Sequence, residues 1–151
     1  MGNKASTSTE YHIALVNTLV RSLIAHLVFQ TEQHDRSKLQ SPEKEMFEMY
    51  GHKLSGMTFG SKEYAQCLKE LGPALKHHYE NNRHHPQHFK NGVEGMNLID
   101  LLEMFCDWKA SCLRMKAGGD FDKSIEINAK RFKMSKQLKN IFQNTRKLLG
   151  D

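Results

Sequence analysis

The sequence predicts an all-α protein, and three observations carry that prediction. Apolar residues recur as pairs every four positions in Leu15-Val16, Leu19-Val20, Leu23-Ile24 and Leu27-Val28, the spacing of one helical face. No run of alternating β-branched residues marks a strand. The Asn91-Gly92 dipeptide, a hairpin signal elsewhere, lies between a histidine-rich stretch and a helical pattern. With 151 residues, 38% hydrophobic and 26% charged, the chain has the size and composition of one folded domain rather than a disordered segment. The expectation is six to seven helices in a single compact domain over residues 9–151, packed around a Leu98–Leu113 helix. A flexible N-terminus over residues 1–8 precedes it.

The first helix is expected from about Glu10 to Gln30, with the paired apolar residues forming a buried face and His12 one turn before Val16 on that face. A polar segment from Thr31 to Lys38 has no apolar period. Ser41-Pro42-Glu43 reads as a cap, an N1 proline and a first-turn acid, opening a short helix to about Tyr50-Gly51. Ser61 caps the next helix, to about Leu71, where Gly72-Pro73 breaks or kinks it. A piece from Ala74 to Asn81 carries His77 and His78, and a loop to Gly92 carries His84, His85 and His88. The most apolar helix runs from about Glu94 to Ala117, with Asp100, Glu103 and Asp107 confined to one narrow stripe. Gly118-Gly119 ends it. Two helices follow, over about Phe121–Phe132 and Ser135–Leu149.

Composition narrows the function classes. The net charge of +5 and pI near 9.1 suit an anionic partner without demonstrating one. The basic C-terminal helix reads first as a solvated face and second as a nucleic-acid surface. Cys67, Cys106 and Cys112 are odd in number and lack CxxC spacing, which disfavours a disulfide framework or a zinc knuckle and suits a reducing cytoplasm. The longest apolar stretch, Ile13 to Phe29, is interrupted by Asn17, Arg21 and His26, so no membrane span is expected. Met1-Gly2-Asn3-Lys4-Ala5-Ser6 fits the short N-myristoylation pattern but reads better as a polar, disordered start. Five of the nine histidines fall between residues 77 and 88. Histidine is the commonest metal ligand and the usual acid–base group near neutral pH, so that cluster is where chemistry is expected.

Taken in order, the ligand-type residues are His12, His34-Asp35, His77-His78, His84-His85, and then Asp100 or Asp107. This order resembles the metal ligands of the HD superfamily of phosphohydrolases. His34-Asp35-Arg36-Ser37-Lys38 is similar to the His-Asp-x-Gly-Lys form of its motif, with Ser37 in place of the glycine. Cys106-Asp107-Trp108-Lys109-Ala110 is similar to the Ala-Asp-x-x-Asp-Ala end of the branch that cleaves cyclic dinucleotides, whose Gly-Tyr-Pro signature is absent. That likeness favours Asp107 over Asp100 as the last ligand. Over nearly its full length the chain also resembles an uncharacterised family of small bacterial and phage proteins. The segments that carry this likeness are His77-His78-Tyr79 to Pro86, Met96 to Asp100, Cys106 to Ala110 and Ser124 to Asn128.

The HD resemblance implies an HD-like helical domain. It also implies a site of His12, His34, Asp35, His77, His78 and Asp107 holding one or two divalent ions. Imidazole with carboxylate suits Mn, Fe, Ni, Co or Zn. Adjacent His34 and Asp35 can both reach one ion only from an irregular or strained helical position. Lys38 and Arg83 are the expected phosphate contacts. His84 and His85 are expected to hold phosphate, donate a proton to the leaving oxygen or bind a second ion. The implied function is metal-dependent hydrolysis of a nucleotide or a related small phosphate ester by a cytoplasmic enzyme, with self-association left open. An HD-fold di-iron oxygenase and a non-catalytic nucleotide- or nucleic-acid-binding module are the alternatives.

Overall fold

The computed structural model describes residues 4–58, 61–114 and 119–150. Among them the structure is helical, with no strand. It comprises α1 (Lys4–Glu32), α2 (Glu43–Ser55), α3 (Lys62–Glu70), α4 (Gly72–Asn81), α5 (Leu98–Leu113), α6 (Phe121–Arg131) and α7 (Lys136–Thr145). Short 3-10 turns at Arg36–Leu39, Pro86–His88, Gly92–Gly95 and Arg146–Leu148 join or end them. The all-α class and the helix number are as the sequence predicts. The chain divides into two compact units, Met1–His34 and Asp35–Asp151.

The first unit is α1. It starts at Lys4, so residues 4–8, expected to be flexible, are helical; the residues of the lipidation-like start before Lys4 lie outside the described ones. Its apolar side chains correct the expectation of a buried face, because Leu19, Leu23 and Val28 are exposed. Four-residue spacing marks a face as apolar but does not say what covers it. α1 is also long and apolar enough, by length and composition, to cross a membrane. An uninterrupted-run criterion misses this, since a helix of that average composition tolerates Asn17, Arg21 and His26.

In the second unit the caps explain the helix boundaries. Ser61 Oγ accepts from the Tyr64 amide at 3.1 Å at the start of α3, and Gly72-Pro73 opens α4 after Leu71, at the expected break. α5 starts at Leu98 rather than Glu94. Asn97 Oδ1 accepts from the Ile99 and Asp100 amides at 2.8 and 2.9 Å, while Asp100 Oδ2 accepts from the Asn97 amide at 3.0 Å. This reciprocal box satisfies the orphan amides of the first turn and fixes the start. α5 ends at Leu113; the expected end near Ala117 and Gly118 falls outside the described residues. α7 is shorter than the expected Ser135–Leu149, because the chain tightens into a 3-10 turn over Arg146–Leu148.

The core of this unit is built on α5, as expected. Met104, Phe105, Trp108 and Cys112 pack with Phe121 and Ile125 of α6 and Phe142 of α7. Phe105 meets Phe121 and Phe142 at ring separations of 5.1 and 5.2 Å, and Trp108 stacks on Phe132. An adjoining face of α5 carries Asp100 and Glu103, both buried. That face, with α2 and α4, frames the polar centre described next.

Candidate metal centre

The centre starts from a backbone irregularity. Asp35 adopts a left-handed conformation, φ 56° and ψ 12°, which aspartate tolerates better than most side chains. The 3-10 turn that follows brings Lys38 back over it, with Nζ 2.6 Å from Asp35 Oδ2. Asp35 Oδ1 points the other way, 3.3 Å from His78 Nε2 and 3.6 Å from His84 Nε2. His78 projects from α4, and His84 and His85 from the loop that follows it. His78 Nε2 and His85 Nε2 are 2.8 Å apart. Ligand-type atoms of Asp35, His78, His84 and His85 all lie within 4.8 Å of one another.

Carboxylates behind the imidazoles orient them. His78 Nδ1 is 2.8 Å from Glu43 Oε2, and His84 Nδ1 is 3.1 Å from Glu103 Oε1. An ionised carboxylate only accepts, so His78 Nδ1 donates to Glu43 and its Nε2 presents a lone pair to the centre. Metal-ligating histidines are fixed in the same way, with the far nitrogen donating to a carboxylate. Burial pushes the His78 imidazole below its ordinary pKa, aided by the Lys38 charge and opposed by Asp35 and Glu43. Burial, with His84 and His78 alongside, pushes His85 down to about 2. Neutral imidazoles are the form that binds metal.

The charge of the centre suits a cation. Among the described contacts, the histidines gather three carboxylates, of Asp35, Glu43 and Glu103, and one ammonium, of Lys38. A divalent ion beside such a group offsets the cost of burying negative charge. Three imidazoles and a carboxylate are a donor set that such an ion fits.

The structure brings together only some of the expected ligands. Asp35, His78, His84 and His85 converge. His77 instead turns its Nδ1 to the other Glu43 oxygen at 2.7 Å, with its side chain partly exposed. His12 and His34 belong to the first unit. Asp107, the preferred last ligand, does not join the group. It lines a cavity of about 740 Å³ that His78, His85 and Lys38 also line. Glu103, one helical turn earlier, is the α5 carboxylate that reaches the histidines. Arg83, expected on phosphate, forms a two-point pair with Asp100, Nε to Oδ1 at 3.0 Å and a terminal nitrogen to Oδ2 at 2.9 Å, and lies over the Phe89 ring. Asp100 therefore has the structural role that a carboxylate in the first helical turn invites.

The residues missed by sequence reasoning are Glu43, Glu103, Asn82 and, as a side chain, Ser37. Glu43 is available as the first-turn acid of α2, but nothing in its spacing links it to histidines 34 and 35 positions away.

A model of a family of unknown function, DUF5662, matches residues 1–150. The chain belongs to that family. No curated protein and no solved structure matches it. Membership in DUF5662 brings no activity with it.

Proposed function

We propose that this DUF5662 protein is a metal-dependent phosphohydrolase acting on a nucleotide or a related small phosphate ester, with one divalent ion held by Asp35, His78, His84 and His85. The observation that carries the reading is the convergence of three imidazoles on Asp35, with His78 and His84 each backed by a buried carboxylate. When bound there, a divalent ion supplies Lewis acidity, activating water and drawing charge from a phosphoryl group. The chain's own residues supply the rest. Lys38 stands beside Asp35 at the wall of the cavity, placed to attract an anionic group. His78 and His85 line the same cavity. The cavity volume is that of a small-molecule site, and Tyr79, Trp108 and Phe132 give it flat walls for an organic moiety. Hydrolysis is proposed on the likeness of the His-Asp stretch to HD phosphohydrolases, and oxygenation by an iron form is the alternative that the same donors allow.

The test is hydrolysis of p-nitrophenyl phosphate and a panel of nucleotides, with Mn²⁺, Co²⁺, Ni²⁺, Fe²⁺ and Zn²⁺ added singly to chelator-treated protein. The reading expects metal-dependent phosphate release that His84→Ala removes. Metal binding without phosphate release, but with oxygen consumption by the iron form, would replace hydrolysis by oxygenation. Metal binding with neither activity would leave a binding module.

A further inference from the structure

We propose that Glu43 is the positioning residue of the centre: from the first turn of α2 it keeps the His78 proton on Nδ1 and thereby leaves the His78 Nε2 lone pair free for a cation in the centre that Asp35, His84 and His85 line. The proposal rests on the metal-centre reading above and deepens it. Glu43 is fully buried, an expensive place for a carboxylate unless its oxygens are well supplied with donors. They are. Oε1 faces His77 Nδ1 at 2.7 Å, and Oε2 takes His78 Nδ1 at 2.8 Å and the Ser37 hydroxyl at 3.0 Å. The N-terminus of α2 adds a favourable dipole.

The proton assignment on His78 follows from counting donors. Asn82 Nδ2 lies 3.0 Å from His78 Nδ1, but its hydrogens are used on Ser37 Oγ at 2.7 Å and on the His78 carbonyl at 2.8 Å. Ser37 gives its hydroxyl proton to Glu43. Neither neighbour then supplies His78 Nδ1, and the carboxylate requires a donor there. The proton therefore sits on Nδ1, and Nε2 is left as an acceptor facing the site. Ser37, which stands where the HD-type motif has glycine, has a side-chain function in this chain: it ties Glu43 to Asn82.

Two measurements test this. In metal-free wild-type protein, long-range ¹H–¹⁵N imidazole spectra, assigned with His78→Gln, should show His78 as the Nδ1–H tautomer. Cobalt(II) titration followed by visible absorption should then give about 10-fold weaker binding in Glu43→Gln, where one oxygen remains, and up to about 100-fold weaker in Glu43→Ala. A His78 Nε2–H tautomer, or wild-type cobalt affinity in both folded Glu43 variants, overturns the proposal. If Glu43→Ala does not fold, Glu43→Gln and the tautomer decide. Wild-type protein that takes up no cobalt refutes the metal-centre reading, while the tautomer measurement still judges Glu43.

Discussion

Replacing Arg83 by alanine separates a structural role from a phosphate-binding one. Asp100 is fully buried, and its two oxygens accept two bonds from Arg83 and one from the Asn97 amide. Arg83→Ala removes both charge-assisted bonds and the contact with Phe89, while the cap bond stays. Breaking a fully buried pair costs about 3–5 kcal/mol. The Arg83 side chain is 46% exposed, so water reaches the vacated side, and the cap bond and helix dipole soften the loss. The expected cost is about 2 kcal/mol, between the values for an unsatisfied buried group and a fully buried ion. Urea unfolding followed by circular dichroism reads this as a midpoint lower by about 1 M, for a slope of about 2 kcal/mol per M. The folded variant should keep its metal and its turnover. Stability within about 0.5 kcal/mol of wild type, combined with a raised KM for a phosphate ester, would refute the structural assignment and return Arg83 to substrate.

Other outcomes follow from the same geometry. Asp107→Asn should retain metal, because Asp107 lines the cavity without joining the ligand group; metal analysis of the variant checks this, and loss of the ion would restore Asp107 as a ligand. Phe105→Ala empties the centre of the core and should cost about 3–5 kcal/mol, read by denaturant unfolding. Metal-free protein should lose stability as pH falls below about 6.5. The His85 pKa is about 2 and that of His78 is also lowered. Between those values and the ordinary value of 6.5 the unfolded chain binds more protons, so stability rises with pH there. Unfolding midpoints at about pH 7.5 and about pH 5, either side of the histidine range, decide it; equal or higher stability at the lower pH would contradict buried neutral imidazoles.

The fold class is legible because helical periodicity and caps are local. Ser61 and the Gly72-Pro73 break each act within a few residues of themselves. What is not local escapes. The apolar face of α1 suggests burial by its spacing, yet spacing carries no information about a covering partner. The histidine cluster and Asp35 are legible from density and from the His-Asp stretch. The choice among α5 carboxylates is not. Glu103 and Asp107 are four residues apart, so they share one helix face, and only the position of His84 in space selects Glu103. Glu43 is hidden for the same reason: its bonds to His77 and His78 join separate helices across more than thirty residues. Arg83 misleads because a lone cation in a histidine-rich loop looks alike whether it meets phosphate or a buried aspartate seventeen residues on.

Metal content per chain, by plasma mass spectrometry, of protein purified without chelators and of its Asp35→Ala variant bears most directly on the centre. The expected result is about one divalent transition-metal ion per wild-type chain and a large loss in Asp35→Ala, with both proteins equally helical by circular dichroism. The metal centre is refuted by a folded wild-type protein that contains no metal and takes up none on dialysis against Mn²⁺, Co²⁺ or Zn²⁺, and Asp35 is removed from it by an Asp35→Ala variant with unchanged stoichiometry.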